Sequence, residues 1–338
     1  MLNTTSGLAF EHERVVAMQA VRDAATLCRA VQRGVNLQAM DKKDRSPVTV
    51  ADFGSQALVC RVLEEAFPAD PVVAEEDSGE LRQPAHAESL AKVLRFVTEV
   101  QAGVDQESLL RWIDRGGALG GARDRFWTLD PIDGTKGFLR GEQYAIALAL
   151  IVEGRIEVAA MACPNLPTAP ENDGVAGTGS LFVAVRGQGA ELYPLDGDLP
   201  ATPVRVSARD DWGLVRFCES VESGHSAHDW SATVAHRLGI TAPPVRLDSQ
   251  AKYAVVARGE ADIYLRLPTK ADYREKIWDH ASGALILAEA GGVVTDLDGR
   301  PLDFARGREL SENRGVVATN GPLHDRVLAA LAETFRPA

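Results

Sequence analysis

Apolar residues recur at helical spacing through residues 10–32, where Ala17, Val21, Ala24, Cys28 and Val31 share one face and Gly34 supplies a stop. A second helix is expected to start near Thr49, with Val50, Phe53, Ala57 and Cys60 on one side and Pro68 beyond its end. The charged stretch from Asp41 to Pro47 reads as the loop between them. Val72 to Ala74 reads as a short buried strand ending on the acidic triplet Glu75, Glu76, Asp77. Residues 82–123 are less regular: helical patches near Ser89 to Val100 and Glu107 to Ile113, then the glycine-rich Gly116 to Gly121, predict a surface excursion. From Arg125 to Asp130 onward strand patterns dominate. Tyr144 to Val152 and Arg155 to Met161 flank Glu153-Gly154 as a hairpin, and Leu181 to Arg186 with Ala190 to Tyr193 form a second. Strands in direct succession imply an antiparallel sheet.

Beyond Ser207 the rhythm changes to alternation. Strands are predicted at Leu214 to Cys218, Val245 to Leu247, Asp262 to Leu267, Gly292 to Thr295 and Val316 to Ala318. Helices are predicted at Ser226 to Leu238, Ser249 to Ala257, Asp279 to Ala290 and Leu323 to Thr334. Such alternation marks an α/β unit. The expected organisation is an α+β domain, 1–206, joined to an α/β domain, 207–338, with the site between them.

Composition narrows the function. The 338 residues include 36 basic and 48 acidic side chains, a net charge of −12. That balance argues against a nucleic-acid polymer as partner but allows a small anion held by metal ions and local cations. No apolar run approaches the ~20 residues of a membrane span. The opening Met1 to Phe10 lacks the basic start and apolar middle of a secretory signal, so the expected setting is the cytoplasm, away from membranes. Cys28, Cys60, Cys163 and Cys218 are far apart in sequence and read as buried free thiols.

The segment richest in chemistry is Trp127-Thr-Leu-Asp-Pro-Ile-Asp-Gly-Thr-Lys-Gly-Phe138, in which a buried strand ends in two carboxylates three residues apart. Pro131 restricts the backbone between Asp130 and Asp133, and Gly134 permits a tight turn. Such a turn can aim both carboxylates and the Ile132 carbonyl at one point, hard oxygen donors that suit Mg²⁺. A helix beginning after Gly134 would add N–H groups that suit a phosphate. The plainer alternative is an acidic turn with Asp133 as a helix cap. Glu75-Glu76-Asp77 could equally be a solvated turn, Trp278-Asp279-His280 a capped helix start, and Thr49-Val-Ala-Asp52 a variant capping box.

Taken together and in order, these four segments resemble the lithium-sensitive, magnesium-dependent phosphomonoesterases of the inositol monophosphatase superfamily. The resemblance spans nearly the whole chain. It implies a layered α-β-α-β-α fold, α/β and α+β in class. It implies that Glu75, Asp130, the Ile132 carbonyl, Asp133 and Asp279 hold two or three Mg²⁺ ions, with Glu76 a neighbour. It also implies that Asp52 and Thr135 orient and deprotonate the attacking water. The physical case agrees, since a dianionic ester repels a nucleophile until its charge is neutralised.

Further segments resemble the 3′(2′),5′-bisphosphate nucleotidase subfamily: Ser46-Pro-Val-Thr-Val-Ala-Asp52, Gly134-Thr-Lys-Gly-Phe-Leu-Arg-Gly141 and Val221-Glu-Ser-Gly-His-Ser-Ala-His228. So do Leu247-Asp-Ser-Gln-Ala-Lys-Tyr253, Tyr264-Leu-Arg-Leu-Pro268 and Glu275-Lys-Ile-Trp-Asp-His280. This implies removal of the 3′-phosphate from adenosine 3′,5′-bisphosphate, with 3′-phosphoadenylyl sulfate a candidate second substrate. His225, Ser249, Lys252 and Arg266 match positions that hold the nucleotide, and Thr135 and Asp279 also adjoin it. Lys252 follows Ser249 by one helical turn, and Arg266 can grip phosphate with its fork. Each cation could instead be a solvated surface charge, and His228 and His280 could be structural. Residues 82–123 look longer than the subfamily's connection and could form a lid, and 166–179 are a Pro/Gly-rich loop. The rival readings are an inositol or sugar phosphatase of the same superfamily, a non-catalytic nucleotide-binding regulator, and an acidic cation buffer.

Overall fold

The computed structural model describes residues 8–34, 46–121, 124–169, 179–197, 199–221, 228–268, 270 and 273–334. Helices α1 (Glu11–Gly34) and α2 (Ser46–Ala66) open the chain. Strand β1 (Val72–Ala74) follows, then a 3₁₀ turn, Pro84–His86, and helices α3 (Ala87–Val100) and α4 (Gln106–Asp114). Next come β2 (Arg125–Asp133), the short α5 (Thr135–Leu139), β3 (Ala145–Val152), β4 (Arg155–Cys163), β5 (Ser180–Val185), β6 (Gly189–Pro194) and β7 (Thr202–Val204). The remainder comprises β8 (Phe217–Glu219), α6 (His228–Leu238), β9 (Val245–Arg246), α7 (Ala251–Ala257), β10 (Ile263–Arg266), α8 (Ala281–Glu289), β11 (Val293–Thr295), β12 (Val316–Thr319) and α9 (His324–Thr334).

Two sheets result, one of seven strands in the order β1 to β7 and one of five in the order β11-β12-β10-β8-β9. The alternation of side chains along each strand decides the layers. Leu129, Ile146, Leu148 and Leu150 share a core with α1, α2, α3 and α4. Phe126, Ala147, Ala149 and Ile151 join α7 and α8 on the opposite face, and these helices also meet Tyr264 and Ala318 of the second sheet. Phe217, Leu265 and Val317 pack with α6 and α9 on the far side. The order is therefore helix, sheet, helix, sheet, helix, as the resemblance implied.

Residues 82–123 depart from the predicted surface excursion. β1 pairs with β2 in parallel, and a parallel pair needs a crossover connection, which α3 and α4 provide. Leu90, Val93, Val97, Leu109 and Ile113 are buried in the first core, and none of the described residues of this stretch lines the cleft described below. The second sheet is mixed, since β10 runs parallel to β8 and antiparallel to β12.

Three helix starts differ from the sequence pattern. α2 takes in Ser46 and Pro47, because proline fits a first helical turn, so Thr49 lies inside the helix and is not its cap. α7 begins at Ala251 because Ser249 holds a left-handed φ of 70°. α8 begins at Ala281, after a turn that includes Asp279. Strand β8 is also later than predicted, since Leu214 is exposed. The four cysteines are free and buried. Among the described residues no helix is long and apolar enough to cross a membrane.

Candidate active site

β2 delivers the central turn. Asp130 pairs with Ala147 and Asp133 with Ala145, and the register shifts between them, which turns the intervening backbone out of the regular ladder. Ser55 on α2 donates to the Pro131 carbonyl at 2.8 Å and holds the turn from behind. Gly134 has φ 89°, and a Cβ there would lie 2.9 Å from the Ser249 Cβ, so glycine is needed on both counts. α5 starts immediately afterwards, with an exposed Thr135 at its first position.

β1 brings Glu75 to the same place. Gln56 braces the residues after the strand: its Nε2 donates to the Glu76 and Ile113 carbonyls, both at 2.7 Å, and its Oε1 accepts from the Glu76 N–H at 3.1 Å. Asp52, one turn earlier on α2, is buried behind these groups.

The second sheet and its helices close the other side. The Gln250 N–H donates to Asp133 Oδ2 at 2.6 Å, and Gln250 Nε2 donates to the Trp278 carbonyl at 2.8 Å. His280 sits between the Tyr253 hydroxyl, 2.8 Å from Nδ1, and Glu275, 3.2 Å from Nε2. Arg266 contacts the other Glu275 oxygen at 3.3 Å. Both ring nitrogens of His280 are thus engaged within the protein, although the residue also lines the cleft. Glu275, Asp279 and His280 have ligand atoms within 4.8 Å of one another, but Glu275 and His280 are already committed to this bonded network.

The result is a cleft of about 210 Å³. Glu75, Asp130, Ile132, Asp133, Thr135, Ser249, Lys252, Arg266 and Asp279 all line it. Asp52 and Glu76 lie outside its lining, and no hydrogen bond joins Asp52 to Thr135 among the described residues. His225 falls outside the described residues. Gln250, Asp248 and Tyr264 also line the cleft and Glu275 pairs with Arg266, although nothing in the segments that contain them marks these four apart from their neighbours. Asp248 lines the cleft and pairs with Arg140.

The electrostatics are those of a site that wants a cation. Asp130 is fully buried and its Oδ1 has no hydrogen-bond partner. Burial, then repulsion from Glu75, Asp133, Asp279 and Asp52, holds its carboxyl well above the usual range. Burial and then Glu76 and Glu75 do the same to Asp52. Glu75 is raised to about 7 by desolvation and then by Glu76 and Asp133. Asp279 is raised to about 7 by burial, with Asp133 adding to it against attraction from His280 and Arg266. Carboxylates gathered this way oppose one another until a cation joins them, and their hard oxygens fit Mg²⁺.

Across the cleft Lys252 is buried, with Nζ 5.3 Å from the centre of the Tyr264 ring. No hydrogen bond or ion pair to the ammonium is present among the described residues. Burial lowers its pKa, against attraction from Asp133. An ammonium this buried, with no carboxylate among the described residues in contact with it, gains from an anion that enters the cleft.

The fold and this cleft define a class of protein. The sequence matches the inositol monophosphatase family over residues 10–336, and the chain belongs to that family. It is 44% identical over 354 residues to the 3′(2′),5′-bisphosphate nucleotidase of Emericella nidulans, covering 97% of this chain and 100% of the relative. It is 46% identical over 351 residues to the protein of that name from Oryza sativa, covering 99% and 98%. An IMPase from Thermotoga maritima superposes with a TM-score of 0.63 at 20% identity, covering 96% and 98% of the two chains. The inositol monophosphatase from Anabaena gives 0.59 at 23%, covering 96% of each. Both share the fold.

Proposed function

We propose that this protein is a Mg²⁺-dependent 3′(2′),5′-bisphosphate nucleotidase that hydrolyses adenosine 3′,5′-bisphosphate to AMP and phosphate. The full-length similarity to nucleotidases supports the reaction. The observation that carries the substrate class is the buried Lys252, held with Arg266 in the same cleft as the carboxylates, which suits a second phosphate that a monophosphate would not fill. We extend the reading to 3′-phosphoadenylyl sulfate, whose 5′ end is also anionic. We further read 1–206 and 207–338 as two domains, because each sheet lies wholly within one of them.

Glu75, Asp130, the Ile132 carbonyl, Asp133 and Asp279 would hold the metal, which we take as two or three ions. Mg²⁺ there would lower the pKa of the attacking water and neutralise charge developing on phosphate. Ser249, Lys252 and Arg266, with His225, would grip the 5′ end and set the 3′-phosphate against the carboxylates. Asp52, whose burial raises its proton affinity, would take the water proton through the Thr135 hydroxyl. That relay requires Thr135 to turn toward α2 when substrate binds. The new P–O bond forms as the bond to the 3′-oxygen breaks, and the 3′-oxygen takes a proton from solvent.

The test is phosphate release from adenosine 3′,5′-bisphosphate, inositol 1-phosphate and fructose 1,6-bisphosphate at equal concentration, with Mg²⁺ and with chelator. Mg²⁺-dependent preference for the adenosine compound is expected. Preference for a sugar ester would move the protein to the inositol and sugar phosphatases, and no release at all would make it a nucleotide-binding regulator.

A further inference from the structure

We propose that Arg308 is a positioning residue that sets the spacing between Glu75 and Asp279, the carboxylates that reach the cleft from different halves of the chain, and so tunes how tightly the site holds a divalent cation. The inference rests on the metal-site reading above.

On one side the guanidinium holds the end of the first sheet. Its Nη2 donates to the Ala74 carbonyl at 2.5 Å, and Nη1 donates to the carbonyls of Ala118 at 3.0 Å and Gly116 at 3.4 Å. Ala74 immediately precedes Glu75. The loop carrying Gly116 and Ala118 is itself bonded to β1, through Ala74 N–H to the Gly116 carbonyl and Ala118 N–H to the Val72 carbonyl. Arg308 therefore grips a small braced unit.

On the other side the same guanidinium stacks over Trp278, 4.7 Å from the ring centre, and Trp278 immediately precedes Asp279. The backbone reinforces this contact. The Ile277 N–H donates to the Arg308 carbonyl at 3.1 Å, and the Leu310 N–H donates to the Glu275 carbonyl at 2.9 Å. One side chain thus touches the neighbour of a carboxylate in each half. Three carbonyls and a ring face call for a planar fork with several donors, which an ammonium does not reproduce. Groups that orient metal ligands from behind govern affinity almost as strongly as the ligands themselves.

The test is calorimetric titration of the metal-free protein with Mg²⁺ for wild type, Arg308→Lys, Trp278→Leu and a control, Arg237→Ala, which removes an exposed pair with Glu333 between α6 and α9. Arg308→Lys should weaken Mg²⁺ binding about tenfold and raise the Mg²⁺ needed for half-maximal phosphate release in step. Its KM for nucleotide at saturating Mg²⁺ should stay at the wild-type value. Trp278→Leu should weaken Mg²⁺ binding in the same direction, and Arg237→Ala should not. Wild-type Mg²⁺ affinity in Arg308→Lys would overturn the inference, because lysine keeps the charge and loses only the fork. Should that variant fail to fold, wild-type affinity in Trp278→Leu would overturn it equally. If the wild-type protein itself binds no Mg²⁺, the metal-site reading falls first and this inference falls with it.

Discussion

Gln250 and Asp133 meet across 2.6 Å, a backbone N–H from one half of the chain donating to a carboxylate of the other. The Gln250 side chain continues the connection to the Trp278 carbonyl and accepts from the Gly283 N–H at 3.2 Å. Gln250→Ala would keep the bond to Asp133 and strand two buried backbone groups. We expect a loss of about 2–4 kcal/mol in unfolding free energy, given the cost of unsatisfied buried polar groups. Denaturant titration checks it, and a loss near zero would mean that water replaces the amide.

Asp130→Asn should have opposite effects on stability and activity. The substitution removes a carboxyl whose ionised form is opposed by burial and by its acidic neighbours, so the metal-free protein should melt at a higher temperature. Loss of this proposed metal ligand should lower kcat/KM by on the order of 10³-fold and abolish the rise in Tm on adding Mg²⁺. Thermal melts with chelator and with Mg²⁺ report both. A lower metal-free Tm would contradict the repulsion argument.

The pH dependence has a definite sign. Glu75 and Asp279 hold their protons up to about 7 in the folded chain, above the roughly 4 of unfolded carboxylates. Between those values the folded state binds more protons than the unfolded one, so stability falls as pH rises through the window. Metal-free protein should therefore melt at a lower temperature near pH 8 than near pH 6, with the Mg²⁺-induced rise in Tm larger near pH 8. An equal Mg²⁺ effect at both values would count against the cluster as the binding site.

Lys252→Met removes a buried ammonium that no carboxylate contacts among the described residues. Stability of the free protein should hold or rise, while KM for adenosine 3′,5′-bisphosphate should rise by about tenfold or more, the signature of lost ground-state binding. Steady-state kinetics beside thermal melts distinguish this from general damage. An unchanged KM would remove Lys252 from the nucleotide site.

Leu109→Ala tests the crossover between β1 and β2. The side chain is fully buried in the first core and outside the cleft lining, so a loss of about 2–5 kcal/mol in stability with an unchanged KM is expected. A raised KM with unchanged stability would restore the idea of a lid in residues 82–123.

Much of this molecule is written in local patterns. The Asp130 to Thr135 turn, Glu75 after its strand and Asp279 after Trp278 each announce themselves within a few residues, and all reach one cleft. Strand alternation likewise allots Leu148 and Ala149 to opposite cores. Other features depend on distant partners. The crossover role of α3 and α4 follows from the parallel pairing of β1 with β2, which helical spacing inside 82–123 does not encode. Gln250 reaches Asp133 over 117 positions and Arg308 reaches Ala74 over 234, so neither contact leaves a spacing signal. The starts of α7 and α8 shifted because Ser249 and Asp279 sit in turns whose geometry serves the cleft.

The burial of the four cysteines has a practical side. Apolar surroundings push the thiols of Cys60, Cys163 and Cys218 up to about 12 and that of Cys28 higher still, so the reactive thiolate is scarce at neutral pH and shielded from bulky reagents. The folded protein is therefore nearly silent toward maleimide dyes without any cysteine being removed. New thiols at the exposed Leu119 and Leu214 positions, one in each half, would accept a donor and an acceptor fluorophore. Energy transfer between them would report, in single molecules, the separation of the two halves before and after Mg²⁺ and nucleotide are added.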